Sequence, residues 1–262
     1  MGEFALFAAV GFLAQFIDGG LGMGYGIVSA TALLTAGFAP AAVSASIHAA
    51  ELFTTAVSGG AHLWHRNVDW RIFWRLTPAG MIGGATGTYL LTGFSGDVVR
   101  PYVVAYLGIM GVLILRRAIR WKKPRPVWAH STGLYGLIGG FCDAIGGGGW
   151  GSIVTSTMLA EGGEPRYVIG SVNLAEFFLT FAISATFVGA LVTGHWQTGG
   201  NLVDYLMPVA GLMAGGVIAA PVASYLAKSI PARRLTVAVG LIVLALTTYQ
   251  GWLLFTQNAA RS

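Results

Sequence analysis

Charged residues are scarce in this chain. Only 10% of its 262 residues are Asp, Glu, Lys or Arg, whereas soluble domains carry about 25%. Hydrophobic residues make up 55% of the chain, and the mean hydropathy is +0.70. This composition excludes an ordinary soluble protein and indicates an integral membrane protein. Because no stretch is polar enough to form a separate soluble domain, we expect residues 1–262 to form a single membrane domain.

Two further absences narrow the functional classes. Cys142 is the single cysteine, which excludes an intrachain disulfide. The sequence contains no ATP-binding loop and no soluble motor domain, which argues against primary pumping by this chain alone. The net charge of +5 comes mainly from short loops, where Lys and Arg set the orientation in the membrane. We therefore expect no nucleic-acid partner.

The chain contains an internal repeat. Residues 11–59 align with residues 136–184 at an offset of 125, and 15 of the 49 positions are identical. The matched positions are mainly glycine, proline and acids, whereas chance similarity between apolar helices would match Leu, Val and Ala. The repeat therefore indicates duplicated architecture, with halves at 1–118 and 130–262 joined by a basic linker at 119–129.

Two of the apolar segments are too long for a single membrane span. The first would be roughly 50 Å long as one helix, against a hydrocarbon core of about 30 Å. Each of the two contains a glycine-rich break that follows an aspartate, at 18–26 and 143–151. Two short helices that meet at a bend are the simpler interpretation. The apolar segments lie at about residues 3–36, 41–64, 70–93, 97–118, 130–160, 166–192, 201–227 and 232–256.

The distribution of Lys and Arg decides between a straight crossing and a hairpin. If the two broken segments are hairpins, 13 of the 15 basic residues lie on the side of the 116–125 linker, whereas straight crossings place only 10 there. Cytoplasmic loops accumulate Lys and Arg, so hairpins and a cytoplasmic linker are favoured. Each half then crosses an odd number of times. The predicted fold is an all-α polytopic membrane protein with two inverted-topology repeats, each a broken or re-entrant hairpin followed by three transmembrane helices.

The two glycine-rich breaks are the first candidate site. Irregular backbone at membrane depth must be buried in protein or line a wet cavity, so we expect the breaks to face each other. Helix starts after a glycine bend attract anions; the alternative is that the glycines only allow close helix packing. Met23 and Trp150 flank the breaks and either line or gate the site or simply pack. The candidate glycines are Gly22, Gly24, Gly26, Gly147, Gly149 and Gly151.

Four acids fall inside apolar segments. An intramembrane charge costs several kcal/mol, so such acids usually face the interior and serve function. For Asp18 and Asp143, capping of the hairpin tip is an equally good explanation. Glu51 and Glu176 lie in mid-helix, where no cap is needed, and we expect them to couple transport to protons or another ion.

Polar residues near the glutamates complete the candidate set. His48, whose counterpart is Asn173, either titrates during a transport cycle or is a buried neutral histidine. Ser46 and Ser171 either bind an oxyanion or hydrogen-bond to their own helices. Cys142 is interpreted as a small core residue in preference to a reactive thiol.

Several of these motifs together resemble the TauE/SafE sulfite-exporter-like family of membrane permeases. They are the duplicated Gly/Asp-rich segments, the Ala-Glu-(Leu/Phe)-Phe-x-Thr stretches at 50–55 and 175–180, Pro-Ala-Gly at 78–80 and Pro-Val-Ala-Gly at 208–211. The resemblance implies an anion carrier of a bacterial inner membrane, acting as an exporter of sulfite or of other small sulfur-containing or organic anions.

The leading functional prediction is a proton-coupled secondary transporter of a small oxyanion. An ion channel lined by the acids, or an intramembrane sulfur-handling enzyme that uses Cys142, are the alternatives. We expect no catalytic residues, cofactor or metal. The expected partners are a small anion, protons and membrane lipid, and a homodimer is one possible assembly.

Overall fold

A computed structural model describes residues 2–21, 23–119, 131–161, 163–196, 203–226 and 232–259. Within these ranges the chain forms ten α-helices and one π-helical turn, joined by short turns and without strands. The helices are α1 Gly2–Leu21, α2 Tyr25–Thr35, α3 Pro40–Trp64, α4 Trp70–Gly93, α5 Gly96–Ile119, α6 Thr132–Gly146, α7 Ser156–Ala160, α8 Pro165–Val192, α9 Val203–Leu226 and α10 Ala232–Ala259, with the π-helical turn at Gly151–Thr155.

Six helices confirm the six single segments predicted from the sequence. They are α3, α4, α5, α8, α9 and α10, and the predicted and observed ends differ by three residues or fewer. By length and apolar composition alone, two of the described stretches, Gly96–Arg116 and Arg166–Val192, could cross a membrane. The linker at 119–129 lies outside the described residues except for its first residue, which ends α5.

Helix boundaries recur at the offset of the sequence repeat. The first helix of one half ends at Leu21 and that of the other at Gly146, which is 125 residues later. In the same way α3 begins at Pro40 and α8 at Pro165. Proline is well suited to the first helical position because its missing N–H has no intrahelical acceptor there and its φ is already helical. The duplicated glycines and prolines therefore set duplicated helix ends.

Both first segments are interrupted where the sequence predicts a break. Gly24, before α2, has φ 119°, and Gly147, after α6, has φ 69°. Side chains rarely adopt such left-handed backbone, so glycine is favoured at both positions. The helices around the first break are unequal, with 20 residues in α1 and 11 in α2. The sequence predicts about 15 on each side, because it does not show how far a helix extends at each end.

The two halves are interleaved. Helix α1 packs against α9, and α4 packs against α6. Because α6 is the repeat counterpart of α1 and α9 is that of α4, these two contacts are equivalent. Helices α3 and α8 pack against each other at the centre, and α5 packs against α10. Glycines allow the close approach: a Cβ on Gly215 would overlap the carbonyl oxygen of Ala8, and one on Gly83 that of Leu137.

Candidate functional site

The two glycine-rich breaks touch each other. A Cβ added to Gly26 would lie 2.5 Å from the Cα of Gly148 and 2.8 Å from the carbonyl oxygen of Gly147. A Cβ on Gly148 would in turn overlap the carbonyl carbon of Gly26. The breaks are therefore in direct backbone contact, which only residues without a side chain permit at this distance.

A small cavity lies between the breaks. Its volume is about 10 Å³, which is the space that a single water molecule needs. Four carboxyl groups line it, one each from α1, α3, α6 and α8: Asp18, Glu51, Asp143 and Glu176. The structure thus brings together all four acids that the sequence singles out. The other lining residues are Met23, Gly24, Tyr25, Gly26, Ile27, Gly149, Trp150, Gly151 and Ser152.

Asp143 both caps a helix start and joins a side-chain network. Its Oδ1 accepts a hydrogen bond of 2.8 Å from the backbone N–H of Trp150. Its Oδ2 lies 3.0 Å from Nε2 of His48. The Asp143 side chain therefore caps a helix start, and a role of this residue in transport stays a prediction. In the other half, Asp18 and Tyr25 occupy the repeat positions equivalent to Asp143 and Trp150, and both line the cavity.

His48 is held in one orientation by α3 and α6. Its Nδ1 lies 2.7 Å from the carbonyl oxygen of Ser44, an acceptor, so this nitrogen carries a hydrogen. The contact between Nε2 and Oδ2 of Asp143 then needs one proton, on either the imidazole or the carboxyl group. In both cases the pair has no net charge. Ser44 strengthens the same junction, because its Oγ donates a hydrogen bond of 2.6 Å to the carbonyl oxygen of Ala144.

Glu51 lines the cavity and has a carboxyl oxygen without a hydrogen-bond partner among the described residues. The residue is 4% exposed, and its Oε2 has no hydrogen-bond partner among the described residues. Ser152, also in the cavity wall, has a buried Oγ without such a partner. An unpartnered carboxylate in these surroundings would be costly, so both groups are available to a ligand or a proton.

Other candidates from the sequence lie in the surrounding packing. Ser171 accepts a hydrogen bond of 2.8 Å from the backbone N–H of Asp69 and so anchors the loop before α4. Asn173 accepts a 2.9 Å bond from Ser58 Oγ through its Oδ1. Ser46 is buried and its Oγ has no partner among the described residues. None of these three side chains is among those that line the described cavity.

One described glycine candidate is not among the residues that line the cavity. Gly147 packs beside the chain of α3: its added Cβ would lie 3.5 Å from the Cα of Ser44. Gly22 lies outside the described residues.

Comparison with known proteins identifies the family. The family model described as "Sulfite exporter TauE/SafE" matches residues 7–249. The chain belongs to the TauE/SafE family. It is also 39% identical over 263 residues to the "Probable membrane transporter protein YtnM" of Bacillus subtilis (strain 168), covering 97% of this chain and 85% of that protein. No solved structure matches the chain significantly.

Family membership confirms the resemblance seen in the sequence. This TauE/SafE protein is a membrane transporter and not an enzyme, so the sulfur-handling enzyme that uses Cys142 is set aside. Its helices are those of a polytopic all-α membrane protein.

Two residues that sequence reasoning missed hold the breaks of the TauE/SafE protein in place. Tyr106 of α5 donates a hydrogen bond of 3.0 Å from its hydroxyl to the carbonyl oxygen of Gly148. Tyr25 donates one of 3.2 Å to Leu212 of α9. Tyr25 is the repeat counterpart of Trp150, which could have drawn attention to it. Tyr106 has no such signal, because its contact depends on how α5 packs.

Met23 and Trp150 both pack and line the cavity. Trp150 is fully buried, and its Nε1 donates a hydrogen bond of 3.2 Å to the carbonyl oxygen of Val172. A Cβ on Gly80 would lie 2.8 Å from its ring, so glycine in α4 makes room for the indole. Met23 is buried, with its Sδ 3.6 Å from Ser156 Oγ, which donates to it.

The cavity also holds a set of metal-ligand types. His48, Glu51 and Asp143 each offer one ligand atom, and these atoms lie within 4.8 Å of one another. Two carboxyl groups and an imidazole suit several divalent ions. The imidazole nitrogen nearest Asp143 is, however, engaged in the proton-sharing contact with that residue. The absence of a metal and a cofactor from the working protein stays a prediction.

Proposed function

We propose that this TauE/SafE protein is a proton-coupled secondary transporter of a small sulfur-containing oxyanion, such as sulfite or an organosulfonate, and that it acts as an exporter. The observation that carries the proposal is the meeting of two glycine-rich breaks and four acids around one buried cavity. Substrate and coupling protons would share this cavity. The protein would lie in a bacterial inner membrane, with the 116–125 linker in the cytoplasm.

Helix starts supply the anion-binding groups in this proposal. Helix α2 begins at Tyr25, and the helical turns after the second break begin beside Trp150. The first N–H groups of a helix have no intrahelical acceptor and attract negative charge. The backbone of Gly26 and Gly151 lines the cavity next to these starts, and Ser152 adds a hydroxyl group. The π-helical turn at Gly151–Thr155 is an irregularity that often occurs at functional sites.

Alternating access would proceed by separation of the breaks. A cavity of about 10 Å³ has space for one water molecule and is too small for an oxyanion, so the described conformation corresponds to a closed state. The interchangeable packing of the halves, α1 on α9 and α6 on α4, supports inverted repeats. Movement of one hairpin away from the other would open the cavity to one side of the membrane.

Glu51 and Glu176 are the coupling residues in this proposal. Both line the cavity, and they occupy equivalent repeat positions on the central helices α3 and α8. A carboxyl group in mid-helix needs no capping role, and it can take up and release a proton. This leaves Asp143 to hold a helix start in place through Trp150, and Asp18 and Asp143 together to shape the charge of the cavity.

Flux through proteoliposomes tests the proposed function. Radiolabelled sulfite, sulfate, sulfoacetate and taurine would be offered at several concentrations, with and without a proton gradient. We expect saturable flux of a sulfur oxyanion that depends on the gradient, and loss of that dependence in the Glu51→Gln, Glu176→Gln double variant. The exposed Glu164 provides a matched control, and Glu164→Gln should retain coupled flux.

Two results would reject this function. Flux that keeps its dependence on the proton gradient in the double variant would remove the coupling role. Single-channel currents that do not saturate with substrate would identify an ion channel instead.

A further inference from the structure

The cavity between the breaks is lined by acidic side chains, although its proposed substrate is an anion. Four carboxyl groups line it, and no Arg or Lys is among the described lining residues. Two arginines that could be considered are engaged elsewhere. Arg100 donates to the carbonyl oxygen of Leu34 at 2.8 Å, and Arg166 donates to Asn67 Oδ1 at 2.6 Å.

His48 does not supply the missing positive charge. Its Nε2 faces Asp143, and the pair shares one proton and is neutral overall. The other titratable groups in or beside the cavity, Tyr25, Tyr106 and Cys142, carry no charge while protonated. The remaining acids are Asp18, Glu51 and Glu176, each of which adds a negative charge when it is ionised.

The protonation of Glu51 therefore has a definite effect on an anion. An ionised Glu51 carboxylate repels an oxyanion and can only accept hydrogen bonds. A protonated Glu51 is neutral and can donate its O–H to an oxyanion oxygen. Its Oε2 is buried, lies in the cavity wall and has no partner among the described residues, so it is free to make that bond. The same charge argument holds for Glu176 in the other half.

We infer that the anion and its coupling protons occupy the cavity at the same time, so that the protein is a proton–anion symporter with Glu51 and Glu176 as the proton carriers. This inference rests on the proposed function. An antiporter needs a site in which proton and substrate exclude each other, whereas here the proton removes the repulsion. Protons would then travel in the same direction as the anion. Export would run on an outward gradient of the anion, and an inward proton gradient would oppose export and favour uptake.

Equilibrium binding of radiolabelled sulfite to the purified protein tests the sign of the coupling. Wild type is compared with Glu51→Gln, Glu176→Gln and the double variant at each pH, so that the titration of sulfite itself cancels. Glutamine is a neutral substitute for a protonated glutamate. By proton linkage, the wild-type affinity relative to that of the double variant should fall by about tenfold per pH unit for each coupled proton. The double variant should therefore bind sulfite more tightly than wild type at alkaline pH.

The opposite sign would overturn the inference. If sulfite binds wild type more tightly as the pH rises, and the glutamine variants bind it weakly at every pH, protons and anion compete and the protein is an antiporter. The proposed transport function would survive that result. If no sulfur oxyanion binds wild type at any pH, the proposed function fails and the inference with it. Glu164→Gln is the matched control, and size-exclusion chromatography in detergent shows that each variant is folded.

A flux measurement gives an independent readout. Proteoliposomes containing a pH-sensitive dye are loaded with sulfite, and an outward sulfite gradient is imposed. Symport predicts that more protons leave with each sulfite ion in wild type than in the Glu51→Gln, Glu176→Gln variant. Proton entry during sulfite exit, in excess of that variant, would contradict symport.

Discussion

His48 Nε2 lies 3.0 Å from Oδ2 of Asp143, and this contact joins α3 of one half to α6 of the other. Both side chains are buried, and each is fixed by a second hydrogen bond: His48 to Ser44 and Asp143 to Trp150. The contact is specific to one half, because the repeat counterpart of His48 is Asn173, which bonds to Ser58 instead. The two halves therefore share an architecture but differ in the side-chain contacts at this position.

We predict that substitutions of His48 and Asp143 are strongly coupled. Removal of either partner leaves the other buried without its bond, so the second removal costs less than the first. In a double-mutant cycle with alanine, we expect an interaction energy of about 1–3 kcal/mol in the free energy of unfolding. The Asn173→Ala and Asp143→Ala pair should be nearly additive. Unfolding by denaturant in detergent measures both cycles. If the effects of the His48 and Asp143 substitutions are also additive, the contact between these two residues contributes nothing to stability.

The contact between the breaks predicts a sharp difference between glycines. Gly26→Ala places a methyl group against the backbone of Gly148, so we expect a loss of about 1–3 kcal/mol in stability and loss of transport. Gly60 lies in α3 with no atom within 4 Å of an added Cβ, so Gly60→Ala should be neutral or stabilising by up to about 1 kcal/mol. Thermal unfolding and sulfite flux measure the two effects. A fully active Gly26→Ala protein would contradict the observed approach.

The Tyr106 hydroxyl should stabilise the second break. Tyr106→Phe removes one hydrogen bond to Gly148 and keeps the ring, so we expect a loss of about 0.5–1.5 kcal/mol and altered transport. Tyr102, one turn away and 73% exposed, is the matched control, and Tyr102→Phe should change neither property. Similar effects of the two substitutions on unfolding and flux would argue against a positioning role for Tyr106.

The hairpin arrangement predicts which loops share a side of the membrane. In a Cys142→Ala background, single cysteines would replace Glu164, Lys122 and Ser95. A membrane-impermeant maleimide added to intact cells should label the cysteine at position 95 and neither of the other two. All three should be labelled after the membrane is opened. Labelling of position 164 together with position 95 in intact cells would show that the fifth apolar segment crosses the membrane once.

Local backbone features and the meeting of the two breaks were predictable from the sequence, whereas individual side-chain contacts between distant helices were not. Gly24, Gly147, Pro40 and Pro165 determine their own backbone conformations, so the breaks and helix starts follow from residue type. The cavity acids were predictable because an acid in an apolar segment needs a polar environment. The partner of Ser171 and the contact of Tyr106 with Gly148 depend on packing between distant helices, which neither spacing nor composition encodes. For Asp143, capping and pairing with His48 are compatible because each uses a different oxygen.

The interleaving of the halves imposes an order on biosynthesis. Helix α1 packs against α9, where Gly215 lies against Ala8, and α9 is synthesised almost 200 residues after α1. During most of translation the face of α1 that carries Ala8 has no native neighbour and must be covered by lipid or by the insertion machinery. A nascent chain that stops before Val203 would leave this face unassembled. The packing of α1 is therefore completed only after α9, in the second half, has been synthesised and inserted beside it.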